Sequence, residues 1–102
     1  MFDNLLRSYW IKSPFQHAPL GFGVTGYSFE DALRIIRALG YGNYLPDNES
    51  LLEVTNDVTV TQLKEPYVLA NMGSIVIRGM WYPFVEIGVP GWAEERMVDE
   101  PS

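Results

Sequence analysis

Apolar positions in this chain form one helical stripe and several short runs of strand character. Between Ser28 and Gly40, Phe29, Ala32, Leu33, Ile36 and Leu39 recur at steps of three and four, with Glu30, Arg34 and Arg37 opposite, which predicts an amphipathic helix. Ser28 is placed to cap it, Asp31 to reach back as the partner of a capping box, and Gly40 to take the left-handed backbone that ends helices. A helix this short is marginal alone in water, so its stripe implies a sheet to cover.

Strand character flanks the helix on both sides. Leu6 to Ile11, with Tyr9, Trp10 and Ile11, predicts a first strand bounded by Ser13-Pro14. Leu20 to Tyr27 predicts a second, with Leu20, Phe22 and Val24 on one face and Gly21, Gly23, Thr25 and Tyr27 on the other; the two glycines leave room for a close neighbour. Leu51 to Thr55 predicts a third strand, Asn56-Asp57 a break, Val58 to Val60 a short continuation, and Thr61 the cap of a single helical turn before Pro66. The continuous Ile75-Val76-Ile77 run makes Ser74–Tyr82 the strongest expected strand, buried on both faces and central, and stopped by Pro83. Residues 84–90 alternate as a last short strand would, and the acidic stretch 91–102 reads as mobile or weakly helical, with Trp92 available to anchor its start.

The resulting order is β-β-α-β-β(-β). It predicts a single small α+β domain over residues 1–90, one helix packed on a mostly antiparallel sheet, an arrangement that a β-grasp fold would satisfy, followed by the tail 91–102. Composition narrows this. In 102 residues, 47% hydrophobic, there is material for one core. A net charge of −6, with basic residues scattered singly, argues against nucleic acid, and no apolar run is long enough for a membrane span or signal peptide, which makes a cytoplasmic location the default. The absence of cysteine removes disulfides, thiolate metal sites and cysteine nucleophiles.

Candidate chemistry is sparse. His17, the single histidine, sits in a proline-flanked loop and could serve as a general acid or base, but it lacks the partners of a zinc set, and no serine lies in a nucleophile elbow. Gly21-Phe22-Gly23-Val24-Thr25-Gly26 matches the dinucleotide fingerprint only in letters, because it lies inside a strand. No catalytic residue, metal or cofactor is therefore expected.

The conspicuous feature is an excess of amphipathic aromatics, with Arg78 beside Trp81 and Tyr82. Together with Trp10, Tyr41 and Tyr44 these residues are the expected partner-binding set; the competing expectation is that Trp81 and Tyr82 close the core and Arg78 pairs with Glu53, Asp57 or Glu86. The function expected is stoichiometric protein binding without catalysis. It takes one of two forms: an acidic inhibitor of a basic partner, of the immunity or anti-defence type found in bacteria and phage, or a homo-oligomeric interaction protein. The alternatives are a small-ligand binder using Arg78 and tyrosines, and a minor enzyme using His17.

Overall fold

The computed structural model describes residues 6–16, 18, 21–63, 65–84 and 88–99. Strands β1 (Arg7–Lys12) and β2 (Phe22–Gly26) form an antiparallel pair, and β2 runs into helix α1 (Phe29–Ile36). After α1 the chain passes through β3 (Glu53–Asn56), a short α2 (Pro66–Ala70), β4 (Gly79–Tyr82) and α3 (Gly91–Asp99). The four strands make one sheet in the order β3-β1-β2-β4, with every pairing antiparallel. The expected α+β domain, helix on antiparallel sheet, is the fold observed. Among the described residues no helix is long and apolar enough to cross a membrane.

The start of α1 follows from its sequence. Ser28 Oγ accepts a hydrogen bond from the Asp31 N–H at 3.1 Å, and Asp31 returns the interaction one residue earlier than a standard capping box, accepting from the Tyr27 N–H at 3.0 Å. The helix widens over Arg37–Tyr41 and ends where Gly40 takes φ 97°, the conformation for which glycine is suited. Ala32, Leu33, Ile36 and Leu39 pack with Tyr9, Ile11, Phe22, Val24 and Met80 from the sheet. Replacing Leu33 or Ile36 with alanine is expected to cost ~2–4 kcal/mol, whereas Arg37→Ala, which loses an exposed pair with Glu49, should cost under ~0.5 kcal/mol. Urea denaturation checks this, and equal losses at the three positions would contradict the helix orientation.

Ala93 and Met97 of α3 join the same core, and Arg96 donates to the Ala38 carbonyl at 3.1 Å. Residues 91–99 thus form a docked helix where a mobile or weakly helical tail was expected. Two small apolar contacts four residues apart suffice, because α1 already supplies the surface that receives them. Trp92 stays on the surface, with Arg96 over its ring.

The opposite face of the sheet is also covered. Val58, Val68, Trp81 and Tyr82 form a second cluster, closed by Trp10, Leu63, Met72 and Ile75. The glycines of β2 explain how it packs. A Cβ on Gly23 would fall inside the Trp81 indole and one on Gly21 inside that of Trp10, so the close neighbours admitted by the two glycines are aromatic rings.

Three segments depart from expectation. Only Gly79–Tyr82 of the Ser74–Tyr82 run is strand. Its partner β2 stops at Gly26 to begin the cap of α1, so residues 74–78 have no backbone to pair with there and fold as a turn. Val58 is buried outside any strand, and the helical turn before Pro66 is capped by Thr59, in a complete capping box with Gln62, two residues earlier than Thr61. The last expected strand lies partly outside the described residues, and Leu20 lies outside them altogether.

Candidate interaction surface

The six residues singled out as a contact set are distributed over three places. Trp81 is 1% and Tyr82 5% exposed. Trp10 stacks on both, with ring centroids 5.9 Å from Trp81 and 5.6 Å from Tyr82, and the Trp81 Nε1–H donates to Thr25 Oγ1 at 3.2 Å. Burial raises the pKa of the Tyr82 phenol, which keeps it neutral. Trp81 and Tyr82 therefore close the core beneath the sheet, with half-buried Trp10 packed over them, and the rim of Tyr82 reaches the surface in a depression of about 390 Å³ shared with Tyr67, Met72 and Phe84. Tyr41 and Tyr44 lie elsewhere, half-buried over Phe22 beyond the C-terminal end of α1.

Arg78 occupies a third position. Its Nε–H and Nη2–H donate to the two carboxylate oxygens of Asp31, at 2.9 and 2.6 Å, and Tyr27 lies against the guanidinium with its ring centroid 5.2 Å from Cζ. Of the expected partners, Glu53 and Asp57 are not used, Asp57 pairing instead with Arg7, and Glu86 lies outside the described residues. Burial works to raise the Asp31 pKa, but the Arg78 hydrogen bonds, the Tyr27 N–H and the charges of Arg78 and Arg34 together hold it below the usual carboxylate value. Hydrogen bonding to Asp31 raises the Arg78 pKa further. Arg78 is thus an internal strut between β4 and α1.

A cleft of about 610 Å³ beside this pair is lined by Arg34, Arg78, Gly91, Glu94, Glu95 and Met97. Its cations are committed, Arg78 to Asp31 and Arg34 to the Met97 carbonyl at 3.0 Å, and the two glutamates oppose an anionic ligand. Among the described residues no cluster of His, Asp and Glu could hold a metal ion. His17 lies outside the described residues.

The surface that stands out is one that sequence reasoning assigned to the interior. Val76 is 74% and Ile77 40% exposed, at the turn that precedes β4, and Tyr27, against Arg78, is exposed as well. Val76 and Ile75 border a groove of about 350 Å³ whose other walls are Leu6, Ser8, Thr25, Val58, Thr59 and Val60. Among the described residues no lining residue is ionisable. The hydroxyls are already engaged: Ser8 donates to the Val58 carbonyl at 2.5 Å, Thr25 to the Ile75 carbonyl at 2.6 Å, and Thr59 caps its own turn. What the groove offers an occupant is therefore apolar surface. The signal for it was present as the β-branched run 75–77, read as core because the early end of β2 was not legible.

Comparisons with protein families, with curated proteins and with solved structures find no match to this chain.

Proposed function

We propose that this protein acts by stoichiometric association with a protein partner, without catalysis, through the apolar groove and the Val76–Ile77 turn beside it. The observation that carries the reading is the exposure of Val76 and Ile77 next to a mainly apolar groove whose hydroxyls are engaged internally. A monomer gains nothing from presenting β-branched side chains there, whereas an interface would desolvate them. Arg78 contributes by fixing the end of this turn to α1, and Trp81 by its hydrogen bond to Thr25, which lines the groove. Of the two forms expected from the sequence, inhibitor of a basic partner and self-associating module, a groove with no ionisable residue among its described lining speaks against the first.

The test is capture from source lysate by the immobilised protein and by its Val76→Asp variant, with the captured proteins compared by quantitative mass spectrometry. Because Val76 is mostly exposed, the variant is expected to keep its melting temperature within a few degrees and to lose specific partners at least tenfold. Retention of every specific partner by a folded Val76→Asp variant would overturn the assignment.

A further inference from the structure

We infer that the depression at the rim of Tyr82 is a binding site for a small free cation carrying a quaternary ammonium group, of the choline type. It is separate from the groove beside Val76: among the described residues the two linings share no member. Its volume of about 390 Å³ falls within the range of small-molecule sites, roughly 300–1,000 Å³. Three of its lining residues are aromatic. The Tyr67 and Tyr82 rings stand nearly at right angles, at 84° with centroids 6.5 Å apart, and Phe84 adds a third ring. A cation set among such rings is attracted by their quadrupoles.

The fold holds these rings in place. Tyr82 is buried at the end of β4 and packed on Trp10, Tyr67 belongs to α2, and Phe84 lies so close to Gly73 that a Cβ there would fall on its ring. Gly73 is itself tied to β4, its N–H donating to the Trp81 carbonyl at 2.8 Å. Charge points to the same class of ligand. Burial, then Tyr67 and the Glu65 carboxylate raise the Tyr82 pKa, which puts that carboxylate within electrostatic reach of the rings. None of the described lining residues is basic, and the net charge of −6 adds a long-range attraction for cations. A quaternary group suits such a site better than a primary ammonium does. It has no N–H to leave unpaired among the rings, and its methyl groups can lie against their faces.

Isothermal titration calorimetry of the full chain with choline tests this, with the neutral tert-butyl isostere of choline as the control for apolar contact alone. The expected result is saturable binding of choline, at least about tenfold tighter than that of the isostere, weakened at least about fivefold by Tyr67→Leu and by Glu65→Gln, and retained by Tyr67→Phe. Tyr67 and Glu65 are exposed, so all three variants are expected to keep the melting temperature within a few degrees. Val76→Asp should bind choline as the wild type does, because its groove is a separate feature. No saturable binding of choline, an isostere bound as tightly, or a folded Tyr67→Leu variant that binds choline unchanged would each overturn the inference. So would a trimethyllysine peptide bound at least about tenfold more tightly than choline, since the ligand would then be a protein side chain.

Discussion

Gly23→Val is expected to destabilise this protein by about 3 kcal/mol or more, because the new side chain would occupy the volume of a buried indole. Trp81 is 1% exposed, stacks on Trp10 and is tethered through its Nε1–H to Thr25, so it has no alternative position to take. The usual gain from removing glycine in a strand, a few tenths to about 1 kcal/mol through the unfolded chain, is overwhelmed. Gly21→Val is the informative comparison. It meets Trp10, which is only half-buried and can move outward, so its cost should be smaller. Thermal and urea unfolding of the two variants check the ordering, and near-wild-type stability for Gly23→Val would show that the indole does not lie where described.

Arg78→Ala is expected to cost about 2–4 kcal/mol at neutral pH, since it strands a largely buried carboxylate on α1 that has lost its bidentate partner. Arg78→Lys should fall between, because an ammonium cannot bridge both oxygens in the same geometry. The pH dependence has a definite sign. Asp31 has a native pKa below its unfolded value of about 3.9, so its contribution is fully present above that value and is lost as pH falls through the depressed native pKa. The gap between wild type and Arg78→Ala should therefore be wide at pH 7 and narrow steadily once pH drops below about 4. A gap independent of pH would mean that the loss is one of packing and that the ion pair is incidental. Because the same strut fixes the end of the Val76 turn, Arg78→Ala should also weaken association.

The helix was legible because everything that defines it is local: Ser28, the apolar spacing and Gly40 all act within one segment. The alternation in β2 was legible for the same reason, down to which face carries the glycines. What fills the space over Gly21 and Gly23 was not, since Trp10 and Trp81 arrive from other strands. The Ile75-Val76-Ile77 run shows the limit most clearly. Its composition specifies a strand, but a strand needs a partner, and β2 ends two residues before the α1 cap; intrinsic preference loses to that boundary. The six expected contact residues are dispersed for a related reason. The aromatics exceed what a small core is expected to hide, but Val58, Leu63, Val68, Met72 and Ile75 cover the second face of the sheet, so that Trp81 and Tyr82 close the core as the competing expectation had it. Arg78 was recognised as unusual, but its partner Asp31 was read only as a capping residue, and its second role across 47 positions is a tertiary fact.

The most direct test of the account is site-specific photocrosslinking, with a benzophenone side chain introduced in turn at the positions of Val76, Tyr44 and Tyr67 and irradiated in the source cells. These three exposed or half-exposed positions sample the groove, the tyrosine pair over Phe22 and the depression at the rim of Tyr82. The account predicts a discrete crosslinked species from Val76 alone, with a mass of two chains if the partner is a second copy. A strong discrete product from Tyr44 or Tyr67, with none from Val76, would contradict it.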